Sequence, residues 1–244
     1  MIFITGDTHH DIDIEKLRKG NFEKMTDASF NNITKNDYLI VCGDFGLLWF
    51  QNTLVKRENR MRKFHKNRPW TTLFIDGNHE NYDRLNALPV STWNGGNVHY
   101  VSDSVIHLMR GQVFTIDGLK FFTMGGATSI DKLYRTPHVS WWPQELPSKK
   151  EYDTALDNLE KHNYNVDYVL THCCASTYQT EILRSSPNEI ACVQGEIRDD
   201  LNEFLRMIEF DNKLQFKHWY FGHYHTDRRL DDKHTCLYNT IVRI

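Results

Sequence analysis

Apolar residues in this chain fall into short runs that alternate with stretches of helical period, the pattern of an α/β protein. Five β-like runs stand out: Met1–Thr5, Tyr38–Cys42, Thr71–Ile75, Val166–Thr171 and His218–Phe221. The clearest helix is Tyr152 to His162, where Tyr152, Ala155, Leu156 and Leu159 share one face. Ser148 and Glu151 just upstream have capping-box spacing. A second helix carries Ile197, Leu201, Phe204, Leu205 and Ile208. A weaker third runs from Asn52 to Lys66 and stops before Pro69, since the residue ahead of a proline is pushed out of the α region. The middle differs. Val98–Val101 and Val105–Met109 read as strands, and Gln112–Ile116 and Leu119–Thr123 flank Asp117-Gly118, a pair suited to a type I′ hairpin turn. This stretch is expected to form antiparallel sheet after parallel units. No repeat or Pro/Gly-rich linker divides residues 1–244, which read as one domain.

Composition narrows the class without naming it. With 40% hydrophobic and 25% charged residues the chain has the balance of a globular protein. A net charge of -3 advertises no basic surface, so extended nucleic acid is not an expected partner. No apolar run approaches the roughly 20 residues of a membrane span, and because Met1 leads directly into the strand-like run Met1–Thr5, no signal peptide is expected. The five cysteines are odd in number and contain no CxxC pair, which argues against a disulfide framework or a four-cysteine zinc site. Cytoplasmic localisation is the expectation that follows.

The chemistry lies in a recurrence. Each of the five β-like runs ends in a metal-binding residue type: Gly6-Asp7-Thr8-His9, Gly43-Asp44, Gly77-Asn78-His79-Glu80 (past Asp76), His172, and Gly222-His223-Tyr224-His225. In α/β sheets ligands bind outside the carboxyl ends of strands, so the five turns can converge on one crevice. An anionic phosphate ester repels nucleophiles. Two cations roughly 3.5–4 Å apart activate a water and stabilise both the attacking and leaving oxygens. A carboxylate such as Asp44 suits the bridging position, and imidazole with carboxylate favours Mn, Fe or Zn over Ca. D-x-H or GD alone is common by chance; all five in order are not.

This series resembles the calcineurin-like metallophosphoesterases, with every ligand position filled between residues 6 and 225. The resemblance implies an α/β sandwich of two mixed β-sheets flanked by α-helices, and a phosphoesterase holding two divalent ions, Mn first and Fe or Zn as alternatives. One metal would take Asp7, His9, Asp44 and His225; the other would take Asp44, Asn78, His172 and His223. A metal-bound hydroxide would attack phosphorus, and His79, not a ligand, would protonate the leaving oxygen. The Ser/Thr protein phosphatases continue the second motif to Asp-Arg-Gly, whereas here Gly43-Asp44 continues Phe45-Gly46-Leu47-Leu48-Trp49. Their phosphate-binding arginine is therefore missing from its expected place. Relatives with a proline two residues after the fourth-motif histidine are not matched either, since Cys173 and Cys174 follow His172.

Arg135 is the candidate replacement, in a segment with Gly125-Gly126, Tyr134, Trp141 and Trp142 that could wall a substrate pocket together with Trp49. The bland alternative is a loop pinned by aromatic packing, with Arg135 in a surface ion pair. His10 could face substrate, but a surface turn residue is the preferred reading. Glu80 could bond a ligand or open a helix. His65, His99, His107, His162 and His234 are read as satisfied or solvent-facing histidines, His218 as structural, and Cys173 and Cys174 as buried small side chains. A phosphodiesterase or phosphatase acting on a small phosphoester, with nucleotides among the candidate substrates, is the leading function. A catalytically silent metal-binding scaffold or a protein phosphatase is the alternative.

Overall fold

In a computed structural model of the chain, describing residues 1–51, 55–184 and 199–244, the five β-like runs are strands buried on both faces. A seven-stranded sheet has the order β13 (Ile241–Arg243), β1 (Ile2–Thr5), β2 (Tyr38–Cys42), β3 (Thr71–Ile75), β6 (Val105–Leu108), β5 (Gly96–Ser102), β4 (Val90–Trp93). A six-stranded sheet has the order β11 (Arg228–Arg229), β12 (His234–Cys236), β10 (His218–Phe221), β9 (Tyr168–Thr171), β8 (Leu119–Met124), β7 (Gln112–Ile116). Both sheets are mixed. The centres β1-β2-β3-β6 and β8-β9-β10-β12 are parallel, and the flanks are antiparallel.

Alternation within each strand assigns its side chains to layers. Ile2, Ile4, Ile40, Leu73 and Ile106 face Phe114, Phe121, Leu170 and Tyr220 across the space between the sheets. Phe3 and Leu39 point the other way, to Phe22 of α1 (Lys19–Thr26) and to Trp70, while Val41 and Phe74 meet Met61 of α2 (Val55–Lys66). Phe22 stacks on Trp70 with centroids 4.4 Å apart. A fully buried aromatic of this kind contributes about 1.5–3 kcal/mol by transfer alone. The outer face of the second sheet, with Val169 and Trp219, is covered by three helices: α4 (Lys149–Lys161), α5 (Ser176–Arg184) and α6 (Asp200–Arg206). A short α3 (Tyr82–Leu85) follows β3. This is the expected sandwich of two mixed sheets flanked by helices. No helix among the described residues is long and apolar enough to cross a membrane.

Local sequence signals correspond to local structure. The Ser148–Glu151 capping box forms, with the Ser148 amide donating to Glu151 Oε2 at 2.7 Å, and α4 begins at Lys149, ahead of the expected Tyr152. Asp117 and Gly118 have φ of 50° and 79°, both left-handed as a type I′ turn demands. The second helix is shorter than its apolar pattern. Asp199 caps α6 through Asn202 N at 2.9 Å, and from Met207 to Asp211 the turn widens to π geometry. Ile197 lies outside the described residues, as do residues 52–54 at the start of the third helix. The middle stretch is antiparallel in both its pairings but not as one sheet. β4 to β6 extend the first sheet, and the β7–β8 hairpin builds the edge of the second.

Candidate metal centre

Because β1, β2 and β3 are parallel neighbours, as are β9 and β10, the turns after all five strands leave the sandwich on one side. Ligand atoms of Asp7, His9, Asp44 and His225 lie within 4.8 Å of one another there. Asp7 and Asp44 are buried, His9 is half-buried and His225 exposed. The Asp44 carboxylate divides its oxygens, with Oδ2 3.1 Å from His9 Nε2 and Oδ1 3.2 Å from His172 Nε2. On the His172 side, Asn78 Oδ1 lies 3.1 Å from the same Nε2, and the His223 ring packs edge-on with centroids 5.0 Å apart. His225 Nε2 faces Asp7 Oδ2 at 3.3 Å.

Two devices let these groups approach. A Cβ on Gly77 would run into the Asp44 carboxylate and His172, and one on Gly43, at φ 89°, would run into the His172 ring. His9, Asp44, His223 and His225 themselves adopt φ of 43°, 47°, 70° and 49°. Left-handed backbone costs a non-glycine residue about 1–3 kcal/mol, so the surrounding fold holds four strained residues in one place. Bonds to the turns do the holding. Asp44 Oδ1 accepts the His79 amide at 2.7 Å, and Asp7 Oδ1 accepts the His223 amide at 3.1 Å.

The donor set fits divalent cations. His172 Nδ1 lies 2.9 Å from the Cys42 carbonyl, which can only accept. A neutral His172 therefore presents a lone pair at Nε2 to two further acceptors, Asn78 Oδ1 and Asp44 Oδ1. Three acceptors facing one another need a cation between them. Asp7 Oδ2 is likewise buried without a well-aligned hydrogen bond. Without metals, protons fill the role. Burial lowers the pKa of both histidines, but Asp44 and Asp7 outweigh it, raising His9 to about 10 and His172 to about 9. Burial likewise opposes the Asp44 carboxylate, yet His172 and His79 hold it well below the ordinary value. Imidazole and carboxylate together are the ligand types of Mn, Fe and Zn.

His79 is not among these close contacts. Its ring packs against His9 and Trp49, with centroids 5.5 and 5.6 Å away, and burial lowers its pKa. Arg135 bonds Asp131 Oδ1 through Nε at 2.6 Å and Ser140 O through Nη1 at 3.0 Å, so it has the ion pair of the bland alternative while its charge reaches His79. Trp142 departs from the idea of a pocket wall. It is fully buried, edge-on to Trp49 at 5.3 Å, and donates its indole N–H to Asp83 Oδ2 at 2.7 Å, so it pins the loop. Trp141 is half-buried, and Tyr134 is 93% exposed. His10 is neither at the surface nor open to substrate, because the Phe50 ring covers it edge-on at 4.9 Å.

Glu80 does neither of the two things weighed for it. It accepts the amides of Phe45 at 2.8 Å and Gly46 at 3.2 Å, bracing the turn behind Asp44, while Asn81 caps α3. Cys173 and Cys174 are buried, and desolvation pushes both thiols up, as inert small side chains require. Sequence reasoning missed Asp13, whose Oδ2 is 2.6 Å from His9 Nδ1, and Ser129, which takes the Asn78 amide at 3.2 Å. It also missed Lys16, buried and donating to the carbonyls of Gly6, Asp7 and Tyr238. Only Asp13 left a trace, as an acid four residues beyond a ligand.

Residues 1–227 match the family model described as calcineurin-like phosphoesterase, a span that contains all the clustered residues. Among solved structures the chain is similar to the phosphopantetheinyl hydrolase (PptH) from Mycobacterium tuberculosis, at 13% identity and a TM-score of 0.43, over 97% of this chain and 87% of that one. No curated protein matches it. The strand-end histidines and carboxylates, brought together as a cation site within that matched span, place the chain in the calcineurin-like phosphoesterase family as a metal-dependent phosphoesterase.

Proposed function

We propose that the protein hydrolyses a small phosphodiester or phosphomonoester, of nucleotide type, using two divalent cations with Mn the first choice. The observation that carries this reading is the divided Asp44 carboxylate, one oxygen toward His9 and the other toward His172. Asp7, His9, Asp44 and His225 would hold one ion, and Asp44, Asn78, His172 and His223 the other. Bound there, the cations would supply an activated water and neutralise charge on the phosphoryl oxygens.

The chain's own groups would do the rest. The Cys42 carbonyl and Asp13 fix the ring orientations of His172 and His9. The His79 amide is anchored on Asp44, which sets its ring beside the cluster, and a ring N–H there would pass a proton to the leaving oxygen. Arg135 commits Nε and Nη1 within its own loop, so Nη2 would be the atom to meet a phosphate oxygen. Exposed Tyr134 and half-buried Trp141 are the aromatic surface left for a base. A protein phosphatase is disfavoured, since Phe45, Leu47 and Leu48 after Asp44 are buried in core rather than offering a phosphate-binding charge. Among the described residues Cys42, Cys173, Cys174 and Cys236 are unpaired and buried, which supports a cytoplasmic setting.

The test is turnover of paired chromogenic phosphomono- and phosphodiesters with Mn, by wild type, Asp44→Asn and His79→Ala. Wild type should hydrolyse at least one ester, a chelator should abolish this, and the ratio of the two rates assigns the substrate class. A protein that binds two Mn ions yet is inert on both esters and on a nucleotide panel would overturn hydrolysis in favour of the scaffold reading.

A further inference from the structure

A cavity of about 950 Å³ opens where the β5–β6 side of the first sheet meets the start of α4, and none of its lining residues belongs to the metal cluster. A chain of hydrogen bonds ends in it. Arg110 Nε donates to Asp76 Oδ2 at 2.7 Å, His107 Nε2 lies 3.0 Å from Asp76 Oδ1, and His107 Nδ1 lies 3.1 Å from His99 Nδ1. Their directions are determined from one end. Arg110 can only donate, so Asp76 is the acceptor of the group and His107 Nε2–H donates to it. With His107 neutral its Nδ1 accepts, and His99 Nδ1–H then donates. His99 is left with a bare lone pair at Nε2.

That atom has no hydrogen-bonding partner among the described residues, although His99 is only 2% exposed and lines the cavity. Burial, with His107 adding to it, lowers the His99 pKa to about 4, which keeps the ring neutral. Charges at the floor are already matched. Arg110 is paired with Asp76, and Glu151 is engaged in the helix cap with Ser148. Lys150 is the one charged lining residue without an ion pair among the described residues, and it is exposed, so a charged head group would find no unmatched counter-ion at the buried floor. The remaining walls include Met109, Pro143, Leu146 and Pro147, flat or flexible apolar surfaces suited to a ring. The volume is in the usual range for small-molecule sites, roughly 300–1,000 Å³.

We propose that this cavity is a second ligand site, separate from the metal centre, for an uncharged nucleoside-sized heterocycle that donates an N–H to His99 Nε2. Its occupant would sit close to the catalytic turn, because Tyr82 bridges the same network, its hydroxyl lying 2.8 Å from Asp76 Oδ2 and 2.6 Å from the Gly77 carbonyl. The site stands whether or not the protein hydrolyses nucleotides, since it uses none of the ligand residues.

Calorimetric titration of the Mn-loaded full chain with adenosine and with purine riboside, which lacks the exocyclic amine, tests it. Adenosine should bind saturably and at least tenfold more tightly than purine riboside, and saturating inorganic phosphate should not displace it. His99→Phe should erase the difference between the two nucleosides. Leu146→Trp, which narrows the cavity without touching the hydrogen-bond chain, should weaken adenosine at least tenfold and serves alone if His99→Phe does not fold. Absence of saturable adenosine binding, equal affinities for both nucleosides, displacement by phosphate, or undiminished binding in Leu146→Trp would each overturn the proposal.

Discussion

His9 Nδ1 lies 2.6 Å from Asp13 Oδ2, while the opposite nitrogen of the same ring lies 3.1 Å from Asp44 Oδ2. The carboxylate of Asp13 accepts the Nδ1 proton and so aims the Nε2 lone pair into the cluster. Outer partners of this kind are worth about 10–100-fold in metal affinity or activity. Asp13→Ala is therefore expected to weaken Mn binding by that factor with the fold intact, as read by calorimetric titration; unchanged affinity would remove Asp13 from the site.

His79 should separate binding from turnover. It contacts the cluster only through its backbone amide and ring packing, so His79→Ala should keep its metal stoichiometry while losing about 10²–10⁴-fold in kcat. The loss should shrink for an ester whose leaving group needs no proton. Equal losses on good and poor leaving groups would exclude proton donation.

Gly77 tests the crowding. One added methyl would intrude on Asp44 and His172 together, so Gly77→Ala should sharply lower bound Mn, measured by elemental analysis after desalting. Full metal content in a folded variant would show that the turn can give way.

His65 offers a pH test away from the cluster. It is fully buried beside Phe45 and Phe64, and burial lowers its pKa to about 3. The unfolded chain has the ordinary value near 6.5, so between the two it binds a proton that the folded state refuses. This contribution is complete above about pH 6.5 and falls away as pH drops toward 3. It amounts to about 2 kcal/mol between pH 7 and pH 5. His65→Phe should lose less stability than wild type over that interval in urea unfolding, and parallel losses would refute the assignment.

What the sequence revealed depended on how local the cause was. Asp7, Asp44, Asn78, His172 and His223 announce themselves because each follows an apolar run within a residue or three, and the strands were readable from those runs. The Asp117-Gly118 turn was readable because two left-handed residues suffice to specify it. Which sheet the resulting hairpin joins was not. That is decided by Phe114 and Phe121 filling the space against Ile4, Leu73 and Ile106, contacts made across long stretches of chain. Lys16 and Ser129 were invisible for the same reason, since a polar residue between elements looks solvated until the fold brings Asp7 or Asn78 to it. Trp142 looked like a recognition surface because an aromatic pair in a glycine-rich segment gives no hint of Asp83 waiting beneath it.

Asp7 and His223 touch across 216 residues of sequence, one carried by the first sheet and the other by the second. A cation shared by the turns on either side would act as a removable cross-link, closing a loop that spans nearly the whole polypeptide. Tying such distant points restricts the unfolded chain, and the restriction grows with the logarithm of the enclosed length. Metal loading would thus stabilise the whole sandwich, whose two sheets already share one core, and stripping it would lower the melting temperature. Supply of the ion would then govern how long the protein survives as well as how fast it works.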